Sequence, residues 1–382
     1  MRAQRDIRIG GLGPLSAPGI VWAGRELRDG MALAAHRINE AGGVAGRPLR
    51  ILFEDTMGTL AGGLGAVHRL LRMEVHALAG EFHSVVADAV VEPVHRAGLP
   101  FVCASATLDA ITARRLPSVF RVAPPQSYGW LAYGEFLVSQ GFRHVVAFQE
   151  ESLYWNRGSR VIEARLQASG VPFTRVPVPA AAPQASGLVR HLEGIMAGAP
   201  APDIVLLLVA YPEPLRSLVG ELRTRGLFPA AVILGDPAGR TVFPDWWDVA
   251  GGDATSVPFL AYARPGELAP EGRLAAEQFE RERGREPTFV ALEGYDSVLT
   301  LARAIEAAAS TDPSQVCGAL RRLEIGGTRG PIAFATQSEG VVHQQWRWPP
   351  VCVVAYRQPR QRFSTAALLW DAERGRTGAP PL

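Results

Sequence analysis

Lysine is absent from the 382 residues, so all 39 basic side chains apart from histidine are arginine. No Schiff-base lysine, pyridoxal-phosphate anchor or Walker A lysine can therefore operate here. Cysteine is scarce: Cys103, Cys317 and Cys352 are odd in number and far apart, which leaves neither a disulfide framework nor a CxxC metal site. Net charge is small. The 39 basic and 37 acidic residues balance to +2, too little for a polyanion-binding surface, and no nucleic-acid partner is expected. No apolar run approaches the ~20 residues of a membrane span. The opening MRAQRDIRIG leads into a strand pattern without a signal-peptide h-region, so the chain reads as cytoplasmic or as the mature form of an exported protein. Catalytic sets are missing too. There is no GxSxG elbow and no HExxH, and the eight histidines show no ligand spacing, so no enzyme, metal or cofactor is expected.

What is present is a long βα alternation. Asp6–Gly10, Pro48–Glu54, Val75–Ala79 and Leu99–Cys103 read as strands. Between the first three, Arg25–Ala41 and Leu60–Met73 carry apolar residues at helical spacing. After Pro124 the rhythm restarts, with strands at His144–Phe148, Phe173–Val176, Asp203–Val209 and Ala231–Leu234. The Pro-rich 177–183 reads as a surface loop, because the alternation continues across it. Strands separated by single helices mean βαβ units and parallel sheets. From Thr255 a short strand near Val257–Tyr262 precedes three helices, Pro270–Arg283, Phe289–Ala309 and Pro313–Leu323, which need a sheet face to cover. The tail pieces Val351–Tyr356 and Phe363–Leu369 suit edge strands on the second domain. Such a chain crosses between two α/β domains more than once. That makes a hinged cleft the natural ligand site, at the carboxyl ends of the strands.

The stretch AGEFHSVVADAVVEPVHRAGLPFVCASAT, Ala79–Thr107, holds two strand-to-helix junctions with small hydroxyl residues at each helix mouth. Helix N-termini carry unpaired N–H groups and a partial positive charge, so two side by side suit a carboxylate. Ser84, Ser105 and Thr107 are the residues placed there, with His83 alongside. In the second domain Tyr154, Tyr211 and Asp236 each follow a strand end, and an acid such as Asp236 facing an ammonium would give a charge-assisted hydrogen bond. Gly11-Leu12-Gly13-Pro14-Leu15-Ser16 with Glu54-Asp55 invites a dinucleotide reading. It lacks the last glycine of GxGxxG and inserts a proline before the helix.

IRIGGLGPLS, DGMALAAHRINEAGGVAGRPLRILFED, the Ala79–Thr107 stretch, VFRVAP and FVALEGYDSVLTLARAI together resemble the type I periplasmic binding proteins, specifically the branched-chain amino acid (Leu/Ile/Val) receptors of ABC importers. The resemblance implies an α/β fold of two doubly wound parallel-sheet lobes joined by a three-crossover hinge. Lobe 1 would comprise 1–122 plus 255–334 and lobe 2 would comprise 123–254 plus 335–382, with hinges near Val122-Ala123, Gly251–Thr255 and Phe334–Thr336. It further implies that Ser84, Ser105 with Ala106, and Thr107 hold a ligand's α-carboxylate and α-ammonium. Tyr154 and Tyr211 would close from the second lobe, Asp236 would bind the ammonium, and Trp22 with His83 would shape the side-chain pocket. The implied partners are an α-amino acid and an ABC permease, for a monomer working in the periplasm or at the cell surface. The alternative with the same fold is a cytoplasmic sensor of an amide- or urea-type ligand.

Overall fold

The computed structural model describes residues 6–179, 184–252, 254–337 and 340–376. Contacts divide the chain into two units, Met1–Pro125 with Glu267–Pro349, and Gln126–Gly266 with Pro350–Leu382. The chain thus crosses from unit to unit three times.

The first unit opens with β1 (Ile7–Gly13), α1 (Val21–Glu40), β2 (Leu49–Asp55), α2 (Leu60–Arg72), β3 (Ala77–Gly80), α3 (Ser84–Arg96), β4 (Phe101–Cys103), the single turn α4 (Ala110–Ala113) and β5 (Val119–Arg121). All five strands are parallel, in the order β2-β1-β3-β4-β5. Winding reverses between β1 and β3, so the loops after these two strands flank a crevice at the carboxyl edge of the sheet. Local chemistry fixes the joints. The Asn39 amide donates to Leu49 O at 2.9 Å and accepts from Leu49 N at 2.7 Å, which clamps the end of α1 to the start of β2. Thr59 caps α2 by accepting from Gly62 N.

The second unit follows with α5 (Gln126–Ser139), β6 (Val145–Glu150), α6 (Leu153–Gln167), β7 (Phe173–Val178), α7 (Ala185–Met196), β8 (Ile204–Leu208), α8 (Leu215–Thr224), β9 (Ile233–Gly235), the turn α9 (Trp246–Val249) and β10 (Phe259–Ala261). Its parallel sheet has the order β7-β6-β8-β9 and reverses at β6/β8. The chain then returns to the first unit as α10 (Pro270–Arg283), α11 (Phe289–Ala308), α12 (Pro313–Leu320) and the antiparallel hairpin β11 (Glu324–Gly326) with β12 (Pro331–Ala333). It ends in the second unit with β13 (Cys352–Ala355), β14 (Ala367–Asp371) and β15 (Gly375–Arg376).

Some expectations differ from this. The resemblance puts the strand near Val257–Tyr262 in lobe 1, but β10 pairs antiparallel with β13 and lies in the second unit. A local reading could not see this, because the partner lies almost 100 residues downstream. The tail strands β13 and β14 do lie in the second unit, but they are not edges: in the antiparallel order β10-β13-β14-β15 each has a neighbour on both sides, and the Asp236–Phe259 bridge joins this sheet to the end of β9. Unit boundaries therefore fall after Pro125, Gly266 and Pro349, whereas 122, 254 and 334 were expected. The last shift arises because Phe334 pairs with Trp346, and Ala335 N donates to Gln345 O, which keeps this stretch in the first unit. Pro177 and Val178 belong to β7, and 180–183 of the expected loop lie outside the described residues.

Helix α11 is the central support of the first unit, and α1 crosses it at glycines. A Cβ on Gly30 would meet Ala291 O at 1.9 Å, and one on Gly294 would meet Leu27 O at 2.5 Å. Backbone cannot yield as a flexible side chain can. Gly30→Ala is therefore expected to cost about 3 kcal/mol, the upper part of the usual overpacking range, read as a lower urea midpoint with an unchanged slope.

Candidate functional site

In the first unit the candidate residues gather at the carboxyl ends of β1, β3 and β4. The loop between β3 and α3 is shaped by Gly80, whose φ of +119° and contact with Leu12 O, 2.2 Å from an added Cβ, admit no side chain. Glu81 folds back over its own loop, its Oε1 accepting from Phe82 N at 2.7 Å and His83 N at 2.9 Å. Burial raises the pKa of this carboxyl group.

His83 stands at the N-cap of α3, where its side chain makes no capping bond. Its Nε2 accepts from Ile20 N at 3.0 Å, so the ring proton sits on Nδ1. Burial pushes the His83 pKa down to about 4, and the ring is neutral at neutral pH. An added Cβ on Gly58 would approach His83 Nε2 to 2.7 Å. His83 thereby holds the loop that follows β1 and lies close to Gly58 in the loop after β2.

Ser84 is the first residue of α3 and is buried. Its Oγ accepts from Thr107 N at 3.1 Å and Leu108 N at 3.3 Å. The two junctions of the Ala79–Thr107 stretch are therefore joined directly. This corrects the expectation of two open helix mouths: α4 is one turn starting at Ala110, and the N–H groups at Thr107 and Leu108 are already satisfied by Ser84. Of the two junctions, only the first leads into a helix longer than one turn. The Ser84 hydroxyl can still donate its one proton outward, since an oxygen accepting two bonds retains it.

Arg121, on β5 and fully buried, reaches the same segment from below. Its Nη1 donates to Thr107 O at 3.0 Å and Leu108 O at 2.8 Å. Thr107 thus has its N–H and its carbonyl held, and among the described residues its hydroxyl makes no side-chain bond. Ala106 is buried, its carbonyl accepting from Cys103 Sγ at 3.5 Å. Cys103 is inert packing: burial raises its thiol pKa to about 12.

Ser105 Oγ donates to Glu293 Oε2 on α11. Glu293 Oε1 accepts from Arg329 Nη1 at 3.1 Å, and Arg329 Nε donates to Asp296 Oδ2 at 3.2 Å. Asp296 also accepts from Thr328 N at 2.7 Å and Thr328 Oγ1 at 2.8 Å. Arg329 Nη2 continues to Val122 O at 3.2 Å, and its guanidinium lies 4.9 Å from the Trp346 ring. Trp22, half-buried on α1, lies between Arg25 and Arg285, each 5.5 Å from its ring.

In the second unit, Ser152 caps α6 by accepting from Trp155 N at 3.1 Å, which presents Tyr154 on the first turn. The Tyr154 ring packs at 4.9 Å on Trp155 and 5.8 Å on Trp130. Tyr211 is buried and donates to Asp245 Oδ1 at 2.6 Å. Asp236 departs from its expected role. It is 0% exposed, its Oδ1 accepting from Arg240 Nε at 3.0 Å and Nη2 at 2.8 Å, and its Oδ2 from Thr241 N at 2.8 Å and Thr241 Oγ1 at 3.1 Å. Arg240 also donates to Leu207 O and Val209 O. An aspartate so occupied neutralises an arginine four residues on and has no oxygen left for an ammonium.

Sequence reasoning missed Arg121, Arg240, Glu293 and Arg329. One signal was available: Glu293 and Asp296 stand three apart in the otherwise apolar FVALEGYDSVLTLA, and acids on a buried helix face require a cation.

The model of the family described as "Periplasmic binding protein" matches residues 6–347. This chain is a periplasmic binding protein. A Brucella melitensis relative, "Leu/Ile/Val-binding protein homolog 3", is 24% identical over 316 residues, 82% of each chain. Among solved structures, the branched-chain amino acid transporter substrate binding protein LivJ from Streptococcus pneumoniae, in complex with isoleucine, superposes with a TM-score of 0.79 at 17% identity, covering 95% of this chain and 99% of that one. A solute binding protein of an ABC transporter from R. palustris, in complex with benzoate, gives 0.78 at 17% identity, covering 99% and 98%. The periplasmic binding protein described here shares their fold, α/β with doubly wound parallel sheets.

Proposed function

We propose that this periplasmic binding protein is a non-enzymatic solute receptor that captures a small amino-acid-like carboxylate and delivers it to an ABC permease, working as a monomer in the periplasm or at the cell surface. The observation that carries this reading is the Ser84 hydroxyl at the start of α3, bonded to Thr107 N at 3.1 Å. This bond joins the Thr107 segment to the start of α3, and the two hydroxyls with the first N–H groups of that helix would make a donor set suited to a carboxylate. Thr107 Oγ1 and the Ser105 and Ala106 carbonyl groups are the acceptors there for an ammonium. Trp22, His83, Tyr154 and Tyr211 remain assigned to the ligand by resemblance. The relative solved with isoleucine supports an amino acid.

A second reading, a carboxylic acid without an ammonium, is favoured by the internal Asp236–Arg240 pair, and the relative holding benzoate supports it. Thermal unfolding with a panel of branched-chain and aromatic amino acids, benzoate and short amides separates the two. A ligand at about 100 times its Kd adds about 2.7 kcal/mol to stability. A rise with leucine or isoleucine supports the first reading, and a rise with benzoate alone supports the second. An unchanged midpoint across the whole panel would sink both.

A further inference from the structure

One hydrogen bond, between Ser105 and Glu293, has a direction that depends on a proton. Arg329 Nη1 takes Glu293 Oε1 at 3.1 Å, which leaves Oε2 facing Ser105 Oγ. Glu293 is 0% exposed, so its Oε2 has no bulk water to turn to, whereas Ser105 is 6% exposed. An ionised Glu293 can only accept, and Ser105 must then direct its single proton at Oε2, showing lone pairs elsewhere. A carboxyl group protonated on Oε2 donates to Ser105 Oγ. The serine proton is then released to donate to a third group.

We propose that Glu293 is a positioning residue that reverses the polarity of Ser105 by taking up a proton, making Ser105 a donor to a ligand carboxylate and linking ligand binding to proton uptake. The proposal rests on the receptor reading above, which puts the Ser105 backbone at the ligand, and extends that reading to the Ser105 hydroxyl. The buried cluster supports it. Two carboxylates, Glu293 and Asp296, share the guanidinium of Arg329, so one negative charge is unbalanced when both are ionised. Asp296 is the better stabilised anion, with Thr328 N, Thr328 Oγ1 and Arg329 Nε all donating to it. Glu293 has one arginine bond and one serine bond, so the proton goes to Glu293. Other ionisable groups on the surrounding elements are Cys103 on β4, Arg121 on β5, Glu81 after β3, Glu26 on α1 with Arg285, Arg37 with Tyr295 and Glu271, Cys317 on α12 and Arg321 at its C-cap. Burial raises the Glu293 pKa to about 7, with the Arg329 charge opposing, which sets the transition near neutrality.

Isothermal titration with benzoate and with L-leucine, each in two buffers of different ionisation enthalpy, tests this between about pH 6 and pH 8.5. The expected result is uptake of up to about one proton per ligand at the alkaline end and an affinity that falls about tenfold per pH unit above about pH 7. Glu293→Gln fixes the protonated polarity, since its amide donates to Ser105 while its carbonyl accepts from Arg329. Its affinity should be flat with pH and equal to that of the wild type near pH 6. Should that variant fail to fold, Ser105→Ala serves. It should bind more weakly and without pH dependence, and a pH dependence that persists in it overturns the proposal. Wild-type binding that is flat with pH and free of proton uptake also overturns it, while leaving the receptor reading intact. No binding of either probe removes the receptor reading for these ligands, and the proposal with it.

Discussion

Arg329→Met is expected to unfold the protein about 3–5 kcal/mol more easily than the wild type, the penalty for leaving buried carboxylates without their cation. Among the described residues Arg329 is the one guanidinium bonded to both Glu293 and Asp296, all three side chains being 0% exposed. Methionine fills much of the volume and supplies no charge, so the loss measures electrostatics more than packing. The pH dependence has a defined sign. Burial raises the pKa of Glu293 to about 7, so the folded chain binds more protons than the unfolded chain between about pH 4.5 and pH 7. The stability associated with that proton is fully present below this window and is lost as pH rises through it. Removing Arg329 raises the folded pKa further and extends the loss to higher pH. Urea unfolding at about pH 5 and pH 8 should therefore show the larger deficit at pH 8. Adding Glu293→Gln should recover part of it. An equal deficit at both values would mean that Arg329 acts through its 4.9 Å contact with Trp346 and not through charge.

The largest expected effect on binding is that of Ser84→Ala. A hydroxyl that donates to a ligand carboxylate contributes about 1.5–3 kcal/mol, so its loss should weaken binding by roughly 10- to 100-fold. The substitution also strips the acceptor from Thr107 N and Leu108 N, bonded at 3.1 and 3.3 Å, and so loosens the segment that carries Thr107. Thr107→Val separates these effects, because it removes the hydroxyl and keeps the backbone bonds. Asp312→Ala is the control. It uncaps α12, where Asp312 accepts from Ser314 N and Gln315 N, each at 3.1 Å. That should lower stability by ~1 kcal/mol with affinity unchanged. Titration with whichever ligand raises the melting temperature is the measurement, and full affinity in Ser84→Ala would remove this residue from the site.

Much of the fold was legible in the chain because its signals are local. The apolar spacing within Leu60–Arg72 and Phe289–Ala308, and the buried run Ala77–Gly80, are each readable in a window of one element. The antiparallel pairing of β10 with β13 was not, because nothing in Phe259–Ala261 specifies a partner. The candidate site divides in the same way. Ser84 and Thr107 could be singled out as hydroxyls at strand ends, but not the bond that joins them. Asp236 looked available because its position after β9 is what a binding acid needs. Arg240, one helical turn away, binds it instead.

The sequence by itself determined the βα alternation of the two units, the absence of lysine chemistry and the placement of Ser84, Ser105 and Thr107 after β3 and β4, but not β5 or the β11–β12 hairpin. Tertiary structure alone decided what those hydroxyls bond. Ser105 meets Glu293 across 188 residues, and Arg329 meets Val122 across 207. Hydrophobic periodicity acts over the length of one element, whereas a buried polar group takes whichever partner the packed core brings within about 3 Å.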